Sequence, residues 1–262
     1  MILRRKAYNI LVFPRKVRYT KQKRALPPLK NGGTNVLFWD STYILVLLGA
    51  ALCAIASWNV SHTYKKFSSL RNCRGLTAES VAAQMLRSAG ISDVRIERVS
   101  GSLTDHYSPR EKVLRLSDSV YGSSSVAAIG VAAHECGHAI QHKVGYLPLK
   151  LRSASVPVAN FGSMLYWPLI VLGLLLGSIG LAQVGVVLFG AVVLFQLITL
   201  PVEFNASRRA MQILSEGNLL VGEELSAAGT VLRAAAMTYV ASLFSSLLQL
   251  LRLVLLTNRR RD

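Results

Sequence analysis

The stretch SASVPVANFGSMLYWPLIVLGLLLGSIGLAQVGVVLFGAVVLFQLITLPV, residues 153–202, runs for fifty positions without a charged side chain. As one straight helix it would be ~75 Å long at 1.5 Å per residue, more than twice the ~30 Å hydrocarbon core of a bilayer. It must therefore fold back. Gly177-Ser178-Ile179-Gly180 lies at its middle and divides it into two spans, about 156–176 and 181–200, joined by a tight turn. A transmembrane hairpin at 156–200 is the expectation on which the rest of the fold turns.

Two further uncharged stretches stand on either side. Residues 41–64 carry no charge, and Trp39, Tyr43, Trp58 and Tyr64 supply the aromatic side chains that favour a membrane interface. This predicts a transmembrane helix over 41–62. Residues 234–251 are uncharged as well, with Arg252 placed to snorkel toward the interface, and predict a last transmembrane helix over 234–257. The composition agrees. Hydrophobic residues make up 52% of the 262 positions and charged ones 16%, where an average soluble domain carries about 25% charged residues. The expected class is a mainly α membrane protein with about four transmembrane helices, multi-pass in the cell membrane.

The net charge of +17 is unevenly placed. Ten of the thirty Lys and Arg residues precede Asp40, and Arg259, Arg260 and Arg261 close the chain. Residues 1–40 read as a basic, disordered arm. Basic ends favour an anionic membrane surface and a cytoplasmic position for the termini, which would put the region between the first two spans outside. No aromatic residues interleave with this charge in the manner of a nucleic-acid surface, so no nucleic-acid partner is expected. Cys53, Cys73 and Cys136 form neither a disulfide framework nor a C-x-x-C pair.

Residues 63–155 differ in kind. Thr77-Ala-Glu-Ser opens a helix with Val81, Met85 and Leu86 on one face and Gly90 as its stop. Residues 94–99 and 112–116 have strand character, and 104–112 between them read as a turn or hairpin. A helix follows over about 125–143. This is a small α+β layer, zincin-like in its order of elements.

The last of those helices contains Val131-Ala-Ala-His-Glu-Cys-Gly-His-Ala-Ile, an H-E-x-x-H motif. His134 and His138, four residues apart, lie one above the other on a helix face, so both imidazoles reach one metal ion. Glu135 projects beside the open coordination position. There it can take a proton from a zinc-bound water, whose pKa the ion lowers toward ~7, and pass it to the leaving amine. Chance would produce this pattern in roughly three of a thousand chains of this composition. Cys136 lies about 200° around the helix from His134 and points away from the metal.

The third ligand has to come from elsewhere. Val144 stands where the metzincin extension of the motif would carry its third His. His142 lies ~12 Å along the helix axis from His134, too far to share an ion with it. Glu203, immediately after the hairpin, is the better candidate, since two crossings return the chain to the face that holds the histidines. A His134, His138, Glu203 set leaves one position for water. Asn205 and Arg208 are its expected outer partners. The competing reading of Glu203 is an interfacial carboxylate paired with Arg208.

These residues resemble a known family, the YugP-like membrane neutral zinc metallopeptidases. The likeness is carried by Ser-Leu-Thr-Asp-His-Tyr (102–107), Lys-Val-Leu-Arg-Leu-Ser (112–117), Ala-Ala-Ile-Gly-Val-Ala-Ala-His-Glu (127–135) and Leu-Pro-Val-Glu-Phe-Asn-Ala-Ser-Arg-Arg-Ala (200–210). It extends over about residues 38–256. It implies a multi-pass membrane peptidase that binds Zn2+ through His134 and His138 and uses Glu135 in catalysis. The layout also looks like that of the CAAX-processing and heat-shock types of membrane zinc protease, which place a membrane hairpin between the two His ligands and a later Glu.

The sequence therefore predicts a membrane-embedded zinc metalloendopeptidase acting on peptide or membrane-protein substrates. The edge of the strand at residues 113–116 would receive an extended substrate. His106 and Tyr107 either steady the oxyanion or pack the hairpin that carries them. The alternative is a non-catalytic scaffold stapled by zinc, which Glu135 argues against, because a structural site needs ligands and no base.

Overall fold

The computed structural model of the protein describes residues 41–258, so the basic arm expected over 1–40 and the three C-terminal arginines lie outside the described residues. Helix α1 (Tyr43–Ser68) is followed by α2 (Ala78–Ser88) and strands β1 (Arg95–Val99), β2 (His106–Ser108) and β3 (Val113–Ser117). Helices α3 (Val126–Lys143), α4 (Leu147–Leu175), α5 (Ile179–Glu216) and α6 (Gly222–Asn258) complete the chain. Four of these, α1, α4, α5 and α6, are long and apolar enough to cross a membrane. Their outer faces carry large exposed apolar side chains such as Trp58, Phe161, Met164, Val187 and Leu194, which a protein keeps on its surface only where lipid or a partner covers them.

Helices α4 and α5 pack along each other as a hairpin, and α1 packs on α6. The hairpin turns at Gly177, whose φ of +68° lies in the left-handed region that a residue with a Cβ adopts only at a cost. Helix α5 has 38 residues, which is ~57 Å at 1.5 Å per residue and well beyond a ~30 Å hydrocarbon core. Its last turns therefore project past the bilayer. The sequence divided this region at residue 201, with a separate third-ligand helix and polar segment over 201–233. The structure instead carries α5 straight through Pro201 to Glu216, and starts α6 at Gly222. Pro201 lacks an N–H, and helices in membranes commonly tolerate a proline of this kind.

The projecting ends of α5 and α6 serve as the floor of the polar layer. Val81 and Met85 of α2, Leu114 and Leu116 of β3 and Ile129 and Ala132 of α3 share one buried core with Ala210 and Leu214 of α5 and Leu232 of α6. Membrane and extramembrane parts are thus one packed body around α3. The three-stranded sheet has the order β1-β3-β2. Strand β1 runs parallel to β3, with Arg95 opposite Val113, and β2 runs antiparallel, with Tyr107 opposite Leu114. Segment 104–112, read as a turn or hairpin, contains β2 and forms a hairpin with β3. Strand β3 is paired on both sides and has no edge to offer a substrate strand, contrary to the sequence expectation. The outer edges belong to β1 and β2.

Candidate metal centre

Helix α3 begins at Ser125, whose hydroxyl accepts the backbone N–H of Ala128 at 3.2 Å and satisfies one of the unpaired donors of the first turn. Small residues follow. Ala132, Ala133, Gly137 and Ala139 are all buried, and they let the neighbouring helices approach closely. At Gly137 an added Cβ would collide with the Ala206 carbonyl of α5. That close approach brings the histidines of α3 to the first projecting turn of α5.

The structure brings His134, His138 and Glu203 together, with one ligand atom from each lying within 4.8 Å of the others. The two imidazole rings stand edge to face, 4.8 Å between centroids. Glu203 Oε2 lies 3.3 Å from His134 Nε2 and 3.8 Å from His138 Nε2. Two ligands each ~2.0–2.1 Å from a shared tetrahedral zinc would be about 3.3–3.4 Å apart. The donor set suits zinc; the His134–Glu203 spacing matches that value and the His138–Glu203 spacing is longer by about half an ångström.

Each histidine is also held at its other nitrogen. His134 Nδ1 lies 3.0 Å from Ser207 Oγ, and His138 Nδ1 lies 3.0 Å from Gln141 Oε1. With Nδ1 as the donor, each Nε2 keeps its lone pair toward Glu203, the tautomer a metal ligand needs. Burial moves the His138 imidazole below its ordinary range, which favours that neutral form. Burial pushes His134 the same way, but the Glu203 carboxylate overrides it and the net direction is up. A cation bound by the histidines and Glu203 would take the place of a proton on His134. The amide nitrogen of Gln141 donates to the Val202 carbonyl at 2.8 Å and to Asn205 Oδ1 at 3.0 Å. Asn205 also accepts from Arg209 Nε at 2.8 Å. Asn205 is thus an outer partner as expected, but through Gln141 and His138 rather than through Glu203.

Glu203 is only 2% exposed, and its cationic partner is Arg152 of α4, with Nη1 3.4 Å from Oε1. The sequence offered Arg208 for this part, but Arg208 is exposed. Five residues along a helix is half a turn out of register, whereas Arg152 reaches the carboxylate from the facing helix of the hairpin. Glu135 stands beside the histidines, and its Oε2 accepts the backbone N–H of Tyr107 at 3.0 Å. The Tyr107 hydroxyl in turn lies 2.9 Å from His142 Nδ1, so Tyr107 packs β2 onto α3. His106 turns back on its own loop, with Nδ1 2.9 Å from the Thr104 carbonyl. Asp105 is buried against Ser117, accepting its N–H at 2.7 Å and its hydroxyl at 2.9 Å. Cys136 lies on the far side of α3, with Sγ 3.7 Å from the Ala82 carbonyl, and burial pushes its thiol up, so it stays protonated.

The family described as "putative neutral zinc metallopeptidase" matches residues 42–258, the whole of the described fold apart from one residue. The chain belongs to this family. A relative from Bacillus subtilis (strain 168), named "putative membrane protease YugP", is 44% identical over 218 residues, covering 83% of this chain and 97% of the relative. No solved structure matches the chain significantly. Membership, the relative's description and the four long apolar helices together make this a multi-pass membrane protein of a zinc metallopeptidase family.

Sequence reasoning missed Gln141, Ser207 and Arg152. Each left a faint signal. Gln141 is fully buried one turn after His138, at a core position of an otherwise apolar helix. Ser207 follows Glu203 by four residues and so shares its face. Arg152 is the last charge before the fifty uncharged positions.

Proposed function

We propose that this protein is a membrane-embedded zinc metalloendopeptidase in which Glu135 is the general base, and that its substrates are peptides or membrane proteins presented at the bilayer surface. One observation supports this reading most: Glu135 is fixed beside the converging His134 and His138 by the Tyr107 N–H, on an element that supplies no metal ligand. A site built only to staple the fold has no use for a carboxylate held in that place, and it tends to fill all four positions with protein ligands.

His134, His138 and Glu203 would hold the ion. Bound zinc supplies Lewis acidity toward the scissile carbonyl and acidifies water at the open position. Glu135 Oε1, opposite the oxygen that Tyr107 restrains, takes the proton from the attacking water. Glu135 then returns that proton to the amine as the peptide C–N bond breaks. Gln141 and Ser207 keep both imidazoles in the ligand tautomer throughout. The location supports the substrate class. Glu203 lies at the point where α5 leaves the apolar run, so the scissile bond is met at the membrane boundary.

The test is metal removal on the purified full-length protein in detergent. Cleavage of casein or of a membrane-protein substrate should stop after zinc is stripped with a chelator, and return when about one zinc per chain is restored. Cleavage that continues unchanged after zinc is stripped would rule the mechanism out.

A further inference from the structure

We infer that Arg152 is a positioning residue of the metal centre, holding Glu203 so that a single carboxylate oxygen faces the two histidines. This rests on the metal reading given above. The two oxygens of Glu203 are already divided between partners. Oε1 is 3.4 Å from the Arg152 guanidinium, and Oε2 faces His134 Nε2 and His138 Nε2 at 3.3 and 3.8 Å. The pair is well removed from water, with side-chain exposures of 18% for Arg152 and 2% for Glu203.

A carboxylate buried at the end of an apolar helix is costly unless it is paired. Arg152 provides that pairing from α4, the other arm of the hairpin. A guanidinium paired with one oxygen also holds that oxygen away from the ion. Without it, the carboxylate would be free to rotate and present both oxygens. Glu203 is therefore tied to α3 and α4 while belonging to α5, and its orientation is set by the helices around it rather than by its own rotamer preference. Partners of this kind, which touch a ligand and not the metal, typically change metal affinity 10- to 100-fold when removed.

The experiment measures zinc affinity by chelator competition, and the visible spectrum of the cobalt-substituted protein, on full-length variants in detergent. Arg152→Ala should bind zinc ~10- to 100-fold more weakly and show an altered cobalt spectrum. Arg152→Lys should recover most of the affinity, since it restores the charge without the planar fork. Arg208→Ala, which removes an exposed cation on the other side of α5, should match the wild type in both readouts. If Arg152→Ala keeps wild-type affinity and spectrum, the positioning role is overturned. Should that variant fail to fold, Arg152→Met carries the test, because it keeps most of the side-chain volume and removes the charge. Wild-type affinity and spectrum in Arg152→Met would overturn the role as well. A wild-type protein that binds no zinc would be a different result, since it removes the metal reading on which the inference stands.

Discussion

Gly137 of α3 lies against the backbone of Ala206 in α5 so closely that a Cβ added at Gly137 would stand 2.9 Å from the Ala206 carbonyl carbon. No flexible side chain is there to yield, so the distance between the two helices is set by the absence of a side chain. Gly137 is the position before His138, and Ala206 is three positions after Glu203. The same contact therefore sets the distance between the metal ligands. Gly137→Ala should force the helices apart, weaken zinc binding at least ~10-fold, and destabilise the fold by an overpacking cost of about 1–3 kcal/mol. Zinc content and thermal melting check both. Wild-type zinc content in Gly137→Ala would show that the close packing is not what assembles the site.

Gln141 bridges His138 to the backbone of α5 and to Asn205. Gln141→Leu keeps the volume and removes both ends of the bridge. It should weaken zinc binding ~10- to 100-fold and remove the side-chain donor from the Val202 carbonyl. Chelator competition measures the first effect. An unchanged affinity would mean that His138 is oriented by packing alone.

Glu203 is the acidic residue that meets the histidines, while Glu216 bonds Gln212 on the surface and Glu223 starts α6. Glu203→Ala should lose most bound zinc and all cleavage. Glu216→Ala and Glu223→Ala should lose neither. Full zinc occupancy in Glu203→Ala would place the third ligand elsewhere.

Much of this centre was legible in the sequence because its residues declare themselves by spacing. His134 and His138 fall on one face of a helix at i and i+4. Glu203 follows from the length of the uncharged run, since two crossings bring it back to their side. The α2 face of Val81, Met85 and Leu86 was visible as a helical period, and all three are buried. What the sequence did not show depends on contacts between elements. The pairing of Glu203 with Arg152 requires knowing how α4 and α5 rotate against each other. The central position of β3 depends on β2, three residues long, which is too short to give a period of two. The continuity of α5 through Pro201 runs against a local helix breaker that the sequence takes as a boundary.

The proposed topology places the described polar layer outside the cell and the hairpin turn at Gly177 on the cytoplasmic side, by the weight of the basic termini. Ser92 is exposed in the loop before β1, which makes Ser92→Cys a reporter. Cys73 is exposed as well, so the reporter belongs in a Cys73→Ser background. An impermeant thiol reagent should label intact cells. Labelling only after permeabilisation would invert the assignment.

The central claim is that Glu135 serves turnover and does not bind metal. Zinc content and cleavage rate, measured on the same preparations of wild type and Glu135→Gln, test it most directly. Glutamine keeps the shape of the side chain and can still accept the Tyr107 N–H, but it cannot take a proton from water. The account predicts near-stoichiometric zinc in both proteins and a loss of at least ~10²-fold in cleavage for the variant. A variant that holds zinc and cleaves at the wild-type rate would contradict it.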